Sequence, residues 1–379
     1  MLIGYLRRVF IVTASLLAIG LTIDLWPQFH LIAGRENSGV ASAVLGVVRF
    51  CVLRTPDLVA PFLPFAIFLG VVWTEVAHTQ SGERVLVWNI GRSPLRCLMP
   101  AILLGVILGV VEFTLDAYLG PTSMTVQMRE RLGLDGQRLD RSRRGEVHWI
   151  PSPGGLLRTE IQYGPPPVLR HLIFYKRDAA GQLTEVDMAS TARRLPDSNL
   201  WLMRDGSVWT PGAAPSGNDS ASIISFGNST NTTTVPFAKR TVPLGLDPLW
   251  LSVFGMEPQY LPLPVLRTLA RSDNGALSNG LYSTRLQVLY GETVLPGAMA
   301  LLAASLSMLF LALNTPLKAL VGVVFVGYLA HFGAKACLLM GQNGYMPSVM
   351  AGWFVPVALF GMIFAAHYLI ERQRRGVGY

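Results

Sequence analysis

The chain has 379 residues, of which 51% are hydrophobic and only 14% charged, and its formal net charge is +8. With a positive mean hydropathy, that balance excludes an ordinary soluble globular chain and places the sequence in the membrane class. Cys51, Cys97 and Cys337 stand far apart, in or near apolar runs, so neither a disulfide framework nor a metal cluster is expected.

Crossing a bilayer core takes about 20 mostly apolar residues, and six windows meet that requirement. The first runs from about Val9 to Ile32, the second from about Leu58 to Val76 and the third from about Leu98 to Leu119. The other three close the chain, at about Val294 to Leu313, Leu317 to Leu339 and Val349 to Ile370. Arg7 and Arg8 precede the first run, but it exceeds the roughly 7 to 15 residue core of a signal peptide and reads as a retained helix. Residues 1–119 are therefore read as spans one to three and residues 292–379 as spans four to six with a tail. Residues 120–291 contain no window apolar enough to cross and read as an extramembrane domain.

Orientation follows from Lys and Arg in short loops, which stay on the cytoplasmic side. Arg7 and Arg8 before the first span, Arg84, Arg92 and Arg96 between the second and third, and Arg372, Arg374 and Arg375 after the sixth all fall on one side. Both termini are then expected in the cytoplasm, and residues 120–291 on the periplasmic or extracellular face.

The cytoplasmic loop between the second and third spans reads as a short helix over about 81–91. Ser81 can cap it, Glu83 sits in its first turn where the dipole favours an acid, and Gly91 can end it. Val85, Leu86, Trp88 and Ile90 give it more apolar surface than water favours. Two placements remain open: the lipid interface, or a groove on a cytoplasmic partner.

The extramembrane stretch carries short runs of strand character at Glu146 to Ile150, Leu156 to Tyr163, Val168 to Lys176, Gln182 to Ala192, Leu200 to Thr210 and Ser222 to Phe226. Turn residues separate them, which predicts an all-β sandwich or open jelly roll. Leu261 to Arg271 and Leu281 to Tyr290 read as short connecting helices.

Ionisable residues inside spans are costly, and so point to function. Asp24 and His30 fall in the outer half of the first span, Glu112 and Asp116 in that of the third, and His331 and Lys335 in that of the fifth. Arg35, Arg49, Arg54, Arg129 and Arg131 also flank spans on the outer side, where insertion does not demand positive charge. With His30 and Lys335 they form a candidate ring of cations at headgroup level, suited to a phosphorylated lipid. No phosphate loop, H-E-x-x-H, Cys-x-x-Cys or G-x-S-x-G motif occurs, so nucleotide-driven work would fall to another chain. Two other readings stay open. One is a membrane-embedded enzyme of envelope lipids using Asp24, His30, Glu112, Asp116 and His331 as acid and base groups, and the other a receptor or scaffold that senses through its β domain.

The order of parts, three spans, a β domain and three spans with a short helix after the second, resembles the LptF/LptG permeases of lipopolysaccharide export. Leu63-Pro64-Phe65-Ala66-Ile67-Phe68-Leu69-Gly70 resembles that family's second span, and the stretch from Gly82 to Ser93 is similar to its coupling helix. Leu119-Gly120-Pro121 resembles the exit of the third span. Gly344-Tyr345-Met346-Pro347 and Ala351-Gly352-Trp353-Phe354-Val355-Pro356 resemble the sixth-span signature and lean towards the G-like member. Arg84, Trp88 and Asn89 depart from the usual coupling helix, and Asn314-Thr315-Pro316-Leu317-Lys318 is shorter and less basic than the family's loop.

The resemblance implies a bacterial inner-membrane protein with six transmembrane helices and an inserted jelly-roll-like all-β domain. It implies a transport subunit rather than an enzyme, with no cofactor of its own and with ATP and Mg on a cytoplasmic ATPase dimer. A paralogous permease would pair with it, and a periplasmic bridge protein of jelly-roll fold would accept the lipopolysaccharide. Glu83, Arg84, Val85, Leu86, Trp88 and Gly91 would meet the ATPase, with Glu83 forming a charge pair. No nucleic-acid partner is expected.

Overall fold

Our computed structural model describes residues 1–33, 39–82, 94–142, 146–164, 166–196, 198–211, 232–272, 279–312 and 318–376. Six helical stretches within them are long and apolar enough to cross a membrane: Leu2–Ile32, Val40–Gln80, Arg96–Glu130, Gly280–Leu309, Leu320–Gln342 and Ser348–Arg372. Each contains or overlaps one of the sequence windows, and most are longer. Their helices are α1 (Leu2–Leu25), continued by a 3₁₀ turn and α2 (Phe29–Ala33), then α3 (Gly39–Gln80), α4 (Pro94–Thr114) and α5 (Gly120–Glu130). The second span extends furthest beyond its window, because α3 runs for 42 residues. At 1.5 Å per residue that is about 63 Å, roughly twice the hydrocarbon thickness. Pro56, Pro61 and Pro64 lie inside it, and such prolines are tolerated where neighbouring helices cover the freed carbonyls.

A short helix α6 (Gly133–Ser142) leads into the β domain. After that domain come α7 (Pro248–Ser252), α8 (Leu263–Arg271), α9 (Asn279–Ala312), α10 (Lys318–Gln342) and α11 (Ser348–Gly376). The segment Leu281 to Tyr290, expected as a separate connector, is instead the first turns of α9, so the fourth span is entered by one continuous helix.

The chain divides into two compact units. The helical unit comprises residues 1–134, 258–270 and 280–379. Its core takes Tyr5 and Val9 from the first span, Ile67, Phe68 and Val71 from the second, Leu104 from the third, Met299 and Ala303 from the fourth, and Leu359 from the sixth, all almost wholly buried. The fourth span lies deep: Ala298, Met299, Ala300, Leu302, Ala303 and Ala304 have almost no exposed surface. Small side chains there let the surrounding helices come close, the usual basis of association where lipid provides no hydrophobic drive. Phe10, Ile23, Val321 and Phe364 keep at least 70% of their surface exposed, as expected of residues facing acyl chains.

The second unit comprises residues 135–257 and 271–279. Its described residues hold one six-stranded antiparallel sheet: β1 (Val147–Ser152), β2 (Gly155–Gln162), β3 (Val168–Arg177), β4 (Leu183–Arg194), β5 (Trp201–Pro211) and β6 (Thr232–Val242). Spatial order equals chain order, so the inserted domain is an open meander rather than a closed barrel. One face buries Ile150, Leu157, Leu169, Phe174, Trp201 and Met203 against Leu244, Leu246 and Leu251. The covering segment starts with Asp247, whose carboxylate accepts the Leu249 N–H and caps α7, with Pro248 in the first turn. The strand expected at Ser222 to Phe226 lies outside the described residues. The sixth strand is Thr232–Val242, which carries Pro236 in its interior. That proline is accommodated because β6 is an edge strand, where a missing N–H costs no ladder bond on the open side.

Candidate functional site

The inserted-domain ends of five spans carry a chain of charges, anchored by a helix defect. After α4 the third span passes through a π-helical turn, Leu115–Leu119, in which the Gly120 N–H bonds the Leu115 carbonyl five residues back. Pro121 follows, with no N–H for the next carbonyl, and the turn is wound wide. Asp116 sits in this turn. Its Oδ2 accepts from the Arg285 guanidinium at 2.6 Å.

Arg285, early in the fourth span, is 7% exposed at its side chain and reaches a second acid, Glu292, at 3.5 Å. Glu292 lies two helical turns further along, so both side chains share one face of α9. Lys335 of the fifth span donates to the other oxygen of Glu292 at 3.1 Å. The fourth span can bring Glu292 this deep because Gly291 approaches the backbone of the sixth: a Cβ there would lie 2.0 Å from the Gly352 carbonyl oxygen. Trp353, beside Gly352, donates its indole N–H to Gln287 at 3.2 Å and holds the same pair of helices together.

A second group adjoins the first. Arg54 of the second span lies between Asp24 of the first span, at 2.8 Å, and Asp57 on its own helix, at 2.9 Å. Tyr260, in a 3₁₀ turn Pro258–Tyr260, donates its hydroxyl to Asp57 at 3.3 Å. A cavity of about 60 Å³ joins the two groups, with Asp57, Asp116, Tyr260, Arg285, Glu292 and Lys335 in its wall. Such a volume admits a few waters at most.

Of the residues singled out from sequence, Asp24, Arg54, Asp116 and Lys335 belong to this network. Glu112 is 2% exposed, its Oε2 has no hydrogen-bond partner among the described residues, and it lies in the field of Glu292, Lys335 and Asp116. His331 is set against Phe62 and Phe65 of the second span, with ring centroids 6.2 and 5.7 Å away. His30, Arg129 and Arg131 are exposed. Arg49 is also exposed, pairs with Glu130 at 2.5 Å, and lines an open groove of about 400 Å³ with Ile32, Leu45 and Leu132. Arg35 and the whole stretch Glu83, Arg84, Val85, Leu86, Trp88 and Gly91 lie outside the described residues.

Of the acid–base set of the enzyme reading, Asp116 lines the cavity, whereas Asp24, His30, Glu112 and His331 are absent from its wall. No group of three or more His, Cys, Asp or Glu suited to a metal occurs among the described residues. Asp57, Tyr260, Arg285 and Glu292 escaped sequence reading. Arg285 and Glu292 lie just ahead of the apolar window that marked the fourth span, and their seven-residue spacing was the available signal.

The chain matches the family described as lipopolysaccharide export system permease LptF/LptG over residues 4–370. No curated protein matches it.

Proposed function

Since the chain belongs to the LptF/LptG family of lipopolysaccharide export permeases, we propose that it is one of two paralogous permeases of an ATP-driven exporter in the bacterial inner membrane. In this reading both termini are cytoplasmic and the β domain is periplasmic, the orientation that the arginines of the short loops favour. The substrate is lipopolysaccharide taken from the outer leaflet. The energy comes from a separate ATPase dimer that meets the segment at about 81–91, with ATP and Mg bound on that partner.

The observation that carries the reading is the family match across nearly the whole chain. The site adds a physical reason for a phosphorylated substrate. Lys335 keeps 35% of its side chain exposed within the network, and Arg49, paired with Glu130, edges a groove whose apolar walls are Ile32, Leu45 and Leu132 at the same ends of the spans. Ammonium and guanidinium groups at that level suit lipid phosphates, while the apolar walls suit acyl chains. Arg54, 11% exposed and held by two acids, serves the helix bundle instead. Transport follows as a rigid-body movement of spans against one another, driven by closure of the ATPase. The sheet receives the lipid, and its open edges offer strand addition to a periplasmic bridge protein.

The test is affinity purification from the native membrane in mild detergent, with identification of accompanying chains. Recovery of an ATPase subunit and a second six-span permease is expected. Purification of the chain alone, with no nucleotide-hydrolysing partner, would remove the exporter reading.

A further inference from the structure

We propose that Glu292 is an internal competitor for the phosphate of an anionic lipid at Lys335, and that it determines how readily that lipid is released. The proposal rests on the exporter reading above and goes beyond it by assigning release to a carboxylate rather than to a cation.

The geometry gives Lys335 and Arg285 different freedoms. Arg285 is 7% exposed and has two acids in reach, Asp116 at 2.6 Å and Glu292 at 3.5 Å. Among the described residues Lys335 pairs with Glu292, at 3.1 Å, and it keeps 35% of its side chain exposed. Of these two cations, Lys335 is the one a ligand outside the network can reach. Its ammonium is a compact charge with three donors on a flexible stem, so it can turn from a carboxylate to a phosphate without repacking the helix.

The partner it leaves is not stranded. Glu292 retains the Arg285 guanidinium, so the exchange avoids the several kcal/mol that orphaning a buried charge costs. A pair without the third member would resist opening. The Glu292 carboxylate, shared between two cations, makes Lys335 exchangeable.

The surrounding charge then acts against retention. Asp116 already faces Arg285 and Glu292 already faces Lys335. The Glu292 carboxylate repels a second anion drawn to Lys335, and burial lowers the dielectric through which it acts. A phosphate held this way binds weakly enough to be passed on.

The test uses the full chain, purified with its accompanying subunits and placed in phosphatidylcholine nanodiscs. Equilibrium binding is measured for diphosphoryl lipid A, its dephosphorylated form and inorganic phosphate. Glu292→Gln should tighten diphosphoryl lipid A about tenfold and leave the dephosphorylated lipid unchanged. Glu292→Asp keeps the charge that Arg285 needs but draws it back from Lys335; it should tighten binding about threefold, and serves if the glutamine variant does not accumulate. In a Lys335→Gln background the effect of Glu292→Gln should vanish. Tightening for inorganic phosphate but not for the lipid would overturn the lipid assignment. If Lys335→Gln weakens lipid binding while both Glu292 variants bind as wild type, the competitor role is wrong and the exporter reading stands. If Lys335→Gln itself leaves diphosphoryl lipid A binding unchanged, the lipid contact at Lys335 fails, and the competitor role fails with it.

Discussion

Gly105 of the third span and Gly297 of the fourth meet backbone to backbone: a Cβ on Gly105 would lie 2.4 Å from the Cα of Gly297. Nothing can shift there cheaply, because the obstacle is main chain rather than the end of a side chain. Gly105→Leu should therefore cost at least about 3 kcal/mol, the upper range for overpacked cores. The thermal midpoint of the purified protein in detergent reads this out. Gly361→Ala on the sixth span, where a Cβ meets nothing within 4 Å, should leave the midpoint within a degree or so of wild type.

Arg285 neutralises two acids at once, so its loss should cost more than the loss of either. Arg285→Leu takes the cation from Asp116 and leaves Glu292 with Lys335 alone, and breaking a buried pair from one side costs about 3 to 5 kcal/mol. Asp116→Asn added to Arg285→Leu removes the stranded charge and should recover part of that loss. Membrane accumulation and thermal midpoint of the two variants should rank in that order; equal values would show that Asp116 and Arg285 do not interact.

The β domain carries a second charge cluster, with acids that titrate in opposite senses. Lys176 contacts Glu185 at 3.1 Å and Asp187 at 2.8 Å, and Arg240 contacts them at 2.6 and 2.9 Å. For Glu185 burial acts upward, but its bonds to Lys176, Asp187 and Arg240 outweigh it and hold the carboxyl below its ordinary value of 4.5. For Asp187, wholly buried on β4, burial wins over the Lys176 bond and holds the carboxyl above its ordinary 3.8. A lowered folded pKa stabilises above the unfolded value and is lost as pH falls; a raised one stabilises at lower pH and is lost as pH rises. Relative to wild type, Glu185→Gln should therefore cost most near neutrality and progressively less as pH falls below 4.5. Asp187→Asn should gain on wild type as pH rises past 3.8. Melting curves between pH 3 and 7 check both signs.

On the exporter reading the segment at about 81–91 receives the force, and Glu83 is its acid. Glu83→Lys should abolish association with the ATPase while the chain still inserts and accumulates in the membrane. Co-purification measures it, and undiminished association would remove Glu83 from the coupling.

Much of this architecture could be read from residues alone, and the misses share a cause. The six spans were legible because a bilayer demands long apolar runs, which few other structures need. Arg285 and Glu292 were not, because a hydropathy window penalises charge wherever it stands and cannot tell that the two neutralise each other across seven residues. Lys335 looked like a free cation at the headgroups for the same reason: its acid lies on another helix, 43 positions earlier in the chain. The strand Thr232–Val242 is absent from the expected runs; its sequence carries Pro236, Lys239 and Arg240, but an edge strand tolerates proline and Arg240 is matched by acids two strands away.

The meander has a consequence for how the protein is made. Each of its strands pairs with the strand before it or after it in the chain, and the cover over its core, Leu244 to Leu251, follows directly. Every residue the sheet needs is thus in hand before Asn279 begins the fourth span. Contacts this local close quickly, so the domain can finish folding while the last three spans are still being synthesised. The first three spans wait for their partners during that interval, and the folded sheet keeps its own apolar face hidden while they do.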